Sequence, residues 1–481
     1  MQQGQMKSSM SNYRWVIVSM LFFATTINYL DRQVLSLTWK DFIVPEFHWN
    51  NNDYGTITAI FSLAYAFSML LAGKFVDWMD TKKGFLWAIG IWSIGACMHA
   101  YCGIATSGIL TGTWFVGFEG AKDTIATVSD IAKVTSTSVT LFIFARIVLA
   151  LGEAGNFPAA IKATAEYFPK KARGFATSIF NAGATIGALI APISIPFIAK
   201  AYGWEMSFII IGGLGFVWMG FWVFIYKKPE KHPRVNSEEL AYIQQDDKHA
   251  NEEEMLAHTK KISFAKAFGY KQTWAFAVGK FMTDGVWWFY LFWTPAYLSS
   301  VYKLDSTQSA PQIFTLYLIT LLSIIGGWLP TYFVEKKGMN PYAGRMKAML
   351  IFAFFPLLAL LAQPLGYISV WFPVIIIGIA GAAHQAWSAN IFSTIGDMFP
   401  RSAIATITGI GGMAGGIGSF LINKGSGKLF DFAANTNMKL MGFEGIEAGY
   451  FIIFTICAVA YLIGWIIMKS LVPKYKPITD L

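Results

Sequence analysis

Four ionisable side chains sit inside apolar stretches of this 481-residue chain, at spacings suited to carboxylate recognition and proton exchange. The stretch "FFATTINYLDRQVLSL" (22–37) holds Asp31 and Arg32 side by side, and "ARIVLALGEAGNFPAA" (145–160) holds Arg146 and Glu153. A charge at membrane depth is costly and faces a bundle interior or a watery cavity. Arg146 and Glu153 are two helical turns apart and share a face. Asp31 and Arg32 are about 100° apart around a helix, so each meets a different partner. The expected pairs are Arg32 with Glu153 and Asp31 near Arg146, and the four charges sum to zero. A guanidinium binds a carboxylate through two parallel hydrogen bonds. Arg32 is therefore the expected anion binder. A carboxylate that loses its counter-charge takes up a proton, which makes Glu153 and Asp31 the expected proton carriers. The alternative is a purely structural ion-pair network, although buried ion pairs are weak stabilisers.

The elements that must position these residues are membrane helices. The chain is 55% hydrophobic, 16% aromatic and only 14% charged, against about a quarter charged in soluble domains. Its mean hydropathy is +0.48. A spanning helix needs roughly 20 apolar residues. Twelve stretches qualify: 14–36, 55–77, 84–105, 139–161, 174–199, 204–226, 274–300, 311–334, 344–363, 369–395, 402–423 and 448–470. The expected fold class is an all-α membrane protein of twelve helices. A polar segment, 227–273, divides them into bundles at 1–226 and 274–481. Within it, "SEELAYIQQDDKHANEEEMLAHTKK" reads as either a solvated linker or an amphipathic surface helix. Residues 106–138 read as a polar loop between helices three and four, too long for a tight connection.

With a cytoplasmic N-terminus, about 26 of the 37 Lys and Arg fall in cytoplasmic loops, about 8 outside and 3 within spans. Both termini are thus expected in the cytoplasm. Residues 1–15 precede a span-length apolar run and lack a small-residue cleavage site, so helix one reads as retained. The net charge of +9 lies in short loops and forms no patch on a polar domain, which argues against nucleic acid. Cys97, Cys102 and Cys457 lie in apolar runs without metal-ligand or redox spacing, so no metal site and no disulfide framework is expected. The Gly-rich stretch 409–420 lacks the Lys-Ser/Thr ending of a phosphate loop and reads as small-residue helix packing. No catalytic constellation and no cofactor motif appears.

Six plus six helices around a polar linker resemble the major facilitator superfamily. The loop "GKFVDWMDTKK" has Gly73, Asp77, Lys82 and Lys83 at the spacing of that family's motif A, with Trp78 and Asp80 departing from it. The resemblance implies that Asp77 latches helix two to the N-terminal end of another helix in one conformation. "NYLDR" in helix one and the Arg146–Glu153 spacing resemble the anion:cation symporter branch, where Tyr65 matches a position facing the cavity. "KFMTDGVWWFYLFWTPAYL" and "HQAWSANIFSTIGDMFP" are similar to its hexuronate transporters. Glutamate carriers of the branch have a basic residue where Asp284 and Gly285 stand here, which argues against a dicarboxylic amino acid.

The resemblance implies a proton-coupled symporter for an organic anion, a galacturonate or glucuronate importer working as a monomer in a bacterial inner membrane. Other sugar acids (galactonate, glucarate) and a sugar-acid sensor without transport are the alternatives. Sugar hydroxyls need neutral partners and sugar faces stack on aromatic rings. The expected substrate-binding residues beside Arg32 are Tyr29, Tyr65, Tyr290, Trp387, Asn390, His384 and Gln385. Each has core packing as its competing reading. Lys280 and Asp284, four residues apart, read first as a local helix ion pair.

Overall fold

The computed structural model describes residues 10–245 and 262–478. Twelve long helices dominate it. The first six are α1 (Tyr13–Thr38), α2 (Asn51–Met79), α3 (Thr81–Ala100), α4 (Ile131–Tyr167), α5 (Lys170–Tyr202) and α6 (Trp204–Ile225). The second six are α7 (Lys271–Tyr302), α8 (Ala310–Lys337), α9 (Pro341–Gly366), α10 (Trp371–Met398), α11 (Arg401–Thr436) and α12 (Ile446–Leu471). Among the described residues, eight helices are long and apolar enough to cross a membrane. A ninth counts if α3 and the helix Cys102–Thr111, bent by 54°, form one span. The remaining three, α1, α7 and α11, are 26, 32 and 36 residues long. They fall short in apolarity because they turn polar and small residues to the protein interior instead of lipid.

Small residues let these helices touch through their backbones. A Cβ added at Gly183 or Gly187 of α5 would fall 2.4 or 2.5 Å from a backbone oxygen of α1. At Gly427 of α11 it would fall 2.5 Å from the Asn51 oxygen of α2. The α2–α11 contact is the longest seam between the two halves, running from Gly427 through Gly416 against Ala66 to Gly409 against Leu70. A hairpin of two-residue strands, Lys439–Leu440 and Phe443–Glu444, joins α11 to α12. Its turn residues Met441 and Gly442 have φ of 50° and 87°, the twist a two-residue hairpin favours.

At the end away from the termini the halves are bound by directed contacts. Asp431 accepts hydrogen bonds from the Asn51 and Asn52 backbone nitrogens at 3.0 and 2.7 Å and from the Asn51 amide at 2.8 Å. Tyr54 donates to the Phe292 oxygen at 2.8 Å, and Trp39 stacks on Tyr54 at 4.1 Å. At the other end Gly73 has no neighbour within 4 Å of an added Cβ. Asp431→Ala removes three accepted hydrogen bonds, each worth about 1 kcal/mol or more. It is expected to lower the thermal midpoint in detergent by several degrees.

One expectation is corrected here. Residues 106–138 are largely helical rather than a loop: Cys102–Thr111 and Gly117–Ala126 are helices, and α4 starts at Ile131. Asp130 caps α4 by accepting from the Lys133 nitrogen at 3.0 Å. The hydroxyls of Ser136 and Thr140 bond back to helix carbonyls, so polarity ends the apolar run without ending the helix. In the polar segment, residues 237–243 form a helix anchored to α1; 246–261 lie outside the described residues. The buried Glu239 carboxylate accepts from the Tyr13 and Arg14 backbone nitrogens, both at 3.0 Å. It also binds the Arg14 guanidinium at 2.9 Å and so caps the N-terminus of α1.

The 117–126 helix docks through charge. Lys122 lies 3.7 Å from Glu205 and 3.2 Å from Glu119, while Glu46 accepts from the Trp204 indole at 2.9 Å. Burial, opposed by that indole bond and helped by the neighbouring Glu205 charge, pushes the Glu46 carboxyl up to about 7. An acid raised above its unfolded value binds more protons when folded. Its contribution is full below the unfolded value of 4.5 and is lost as pH rises toward 7. Glu46→Gln is expected to flatten the decline of thermal stability between pH 5 and 7 and to raise the midpoint at pH 8. Thermal scans in detergent at stepped pH check it.

Candidate functional site

The site forms where α1 and α4 of the first half face α7 of the second. Arg32 is 4% exposed and Glu153 is fully buried. The Arg32 Nε and Nη2 atoms donate to one oxygen, Glu153 Oε2, at 3.0 and 2.7 Å. The expected Arg32–Glu153 pair is therefore made, but as a fork on a single oxygen. Glu153 Oε1 is buried without a partner among the described residues.

The second expected pair is not closed. Asp31 and Arg146 are buried but form no direct ion pair among the described residues; the Asp31 carboxylate lies beside the Trp92 indole and within electrostatic reach of Arg146, whose guanidinium nitrogens have no hydrogen-bond partner among the described residues. The Arg146 guanidinium lies over the Phe61 ring at 5.1 Å. Buried polar groups without protein partners are uncommon in folded proteins and call for an explanation. The Asn28 amide on α1, with both of its polar atoms buried and unpartnered among the described residues, extends this set.

Aromatic rings enclose Arg32. Its guanidinium carbon is 4.8 Å from the Tyr65 ring centre, 5.1 Å from both Tyr29 and Trp288, and 5.9 Å from Phe61. Such contacts hold a cation at about 0.5–2 kcal/mol each. Tyr29, Tyr65 and Trp288 are partly exposed. Tyr29 and Tyr65 thus lie against Arg32. Phe61 and Trp288 were missed. The signal for Trp288 was present in the i, i+4 row Lys280, Asp284, Trp288, Phe292 of α7, which shares one helix face.

The other expected residues divide. His384 stacks on Trp287 at 5.4 Å and shares a 2.8 Å hydrogen bond with the Tyr461 hydroxyl. Trp387 packs edge-on to Tyr461 at 5.6 Å, its buried indole nitrogen unpartnered among the described residues. Tyr290 is buried against Cys457, its hydroxyl lacking a conventional partner. Asn390 donates to the Gly326 and Ala386 oxygens, both at 2.8 Å, and so ties α8 to α10. Its amide donors are spent on helix packing. Gln385 is half-buried on the same turn. Lys280 and Asp284 do form an ion pair, at 2.7 Å.

At the end bearing the termini, Asp77 does not reach the N-terminal end of another helix. It pairs with Lys162 of α4 at 3.2 Å, with its side chain 65% exposed. Lys82 donates to the Val223 oxygen at the end of α6. Lys83 follows on the first turn of α3.

Comparison with known proteins agrees with this architecture. A hexuronate transporter of Escherichia coli (strain K12) is 28% identical over 429 residues, covering 87% of this chain and 88% of its own length. A probable galactarate/D-glucarate transporter, GudP, of the same strain is 26% identical over 434 residues, covering 85% and 89%. A bacterial homologue of the human lysosomal transporter Spinster, solved inward-facing and occupied, superposes with a TM-score of 0.66 at 17% identity. That superposition covers 97% of this chain and 99% of that one and speaks to fold. The sequence profile described as Major Facilitator Superfamily matches residues 21–422. On that match, which spans most of its length, the chain belongs to the major facilitator superfamily of membrane transporters.

Proposed function

We propose that the chain is a proton-coupled symporter that imports a sugar acid, and specifically a hexuronate such as galacturonate or glucuronate. The observation that carries this reading is the Arg32 fork on a single Glu153 oxygen, beside an Asp31 and Arg146 that form no direct ion pair among the described residues. An incoming carboxylate offers Arg32 two oxygens in parallel, a better match than one shared oxygen. Arg32 then leaves Glu153, and the abandoned carboxylate takes a proton. Asp31, with Arg146 as its counter-charge, is the second proton carrier. Anion and proton thus depend on each other.

In this reading Tyr29, Tyr65 and Trp288 enclose the sugar, with His384, Trp387 and Gln385 on the opposite wall. Residues 1–226 and 274–481 rock as two bundles around the site, joined by 227–273. Gly73, Asp77, Lys82 and Lys83 act at the gate between them. The protein works as a monomer in a bacterial inner membrane, both termini in the cytoplasm. The membrane potential contributes about 2.3 kcal/mol per charge per 100 mV, so it aids uptake of a monoanion only if more than one proton enters with it. Asp31 and Glu153 supply two sites. The named substrates of the hexuronate and galactarate/D-glucarate relatives keep other sugar acids as the second reading.

Uptake by proteoliposomes across a panel of uronates, aldonates and aldarates, with and without an inward proton gradient, tests the proposal. Gradient-driven accumulation of a uronate is expected. Accumulation of none of these acids overturns it.

A further inference from the structure

The i, i+4 row of α7 that places Trp288 under Arg32 continues toward the termini with Asp284 and then Lys280. A rise of about 1.5 Å per residue puts Asp284 about 6 Å and Lys280 about 12 Å along the helix from Trp288. Trp288 and Phe292 of this row meet Phe61 of α2 at 5.6 and 6.1 Å. Trp288 and Phe292 therefore look at the first half and the Arg32 site.

The Lys280–Asp284 pair is not symmetric. The Lys280 ammonium lies 4.2 Å from the centre of the Phe392 ring, and its side chain is 6% exposed. The Asp284 side chain is 15% exposed. Only its Oδ2 holds Lys280, at 2.7 Å. Gly415 of α11 leaves room for that carboxylate: an added Cβ there would fall 2.2 Å from Asp284 Oδ2. The pair is thus turned with its cation tucked against the Phe392 ring and its anion, the more exposed partner, packed at Gly415 of α11 within electrostatic reach of Tyr29 beside Arg32. A carboxylate accepts hydroxyl hydrogens and repels another carboxylate.

We propose that Asp284, oriented by Lys280, reads the end of the substrate remote from Arg32, accepting hydroxyls there and excluding a second acid group. The chain then carries sugar monoacids and rejects diacids with a carboxylate at each end. This rests on the sugar-acid reading above. Asp284 is the specificity residue; Lys280 is a positioning residue that acts through it. One carboxylate opposite Arg32 and one fixed anion at the far end are the two poles of a site built for a singly charged guest.

The test is competition in proteoliposomes loaded for counterflow of labelled galacturonate or glucuronate, with unlabelled galactarate and glucarate as competitors. For the unaltered chain, diacids are expected to compete at least tenfold more weakly than the uronates. Asp284→Asn is expected to raise KM for the uronate about tenfold and to bring diacids to parity. Lys280→Met is expected to raise KM without admitting diacids, since it keeps the anion and loses its orientation. Equal competition by uronates and diacids in the unaltered chain overturns the proposal, as does an active Asp284→Asn with unchanged KM and diacid exclusion. The wild-type comparison stands even where a variant does not fold. Absence of any sugar-acid counterflow would instead strike at the sugar-acid reading itself.

Discussion

Arg32→Ala is expected to abolish saturable uptake and to weaken substrate binding at least 100-fold. The proposed guanidinium–carboxylate contact comprises two charge-assisted hydrogen bonds in a site shielded from bulk water. Hydrogen bonds to charged groups are worth about 1.5–3 kcal/mol each, and about 1.4 kcal/mol is a tenfold change in affinity. The substitution has a second consequence. It strips Glu153, fully buried, of its cation, and removing one partner of a buried pair costs about 3–5 kcal/mol. Arg32→Ala alone therefore mixes lost binding with lost stability. The double variant with Glu153→Gln separates them: stability is expected to recover while binding does not. Binding measured by calorimetry in detergent, beside thermal midpoints, checks both parts. Full binding by Arg32→Ala would remove Arg32 from the site.

Glu153→Gln is expected to split transport into its parts. A glutamine fills the same space and still offers Arg32 an oxygen, so the substrate can bind and exchange across the membrane. It cannot take up and release a proton. Accumulation driven by a proton gradient is expected to fall to the equilibrium level, while counterflow of labelled substrate persists within about tenfold of the unaltered chain. Asp31→Asn is expected to reduce accumulation as well, because its carboxylate lies among the same charges. Gradient-driven accumulation by Glu153→Gln would assign the coupling proton elsewhere.

The asymmetry of the Arg32 contact gives both outcomes their logic. Two donors on one oxygen, with the second oxygen idle, form a pair held tightly enough to be ordered but short of its best geometry. An anion of better geometry can displace it. A fully bidentate internal pair would resist that exchange.

Much of this was legible in the residues alone. Twelve span-length runs correspond to twelve long helices, of which eight or nine are also apolar enough to cross a membrane by composition, since length and apolarity are local properties that the bilayer imposes on any chain. The pairing of Arg32 with Glu153 followed from charge balance and helical phase. What escaped was nonlocal. Asn390 reads as a polar residue beside Trp387 in the sequence, but the backbone of α8 consumes its donors. Phe61 and Trp288 look like ordinary apolar core until helix packing sets them around a guanidinium. The helices within 106–138 were hidden because polar residues end a membrane run without ending hydrogen-bonded helix.

The sequence by itself determined that the chain lives in a membrane, how many times it forms a span-length helix, and which charges it keeps at membrane depth. Hydrophobicity and helical period act over one or two turns and need no partner to be read. The tertiary structure alone decided which oxygen Arg32 holds, that Asp31 and Arg146 form no direct ion pair among the described residues, and that Asp284 rather than Lys280 is the more exposed member of its pair. Those outcomes depend on how helices hundreds of residues apart are rotated against one another. The small residues that set those rotations carry no directional signal of their own.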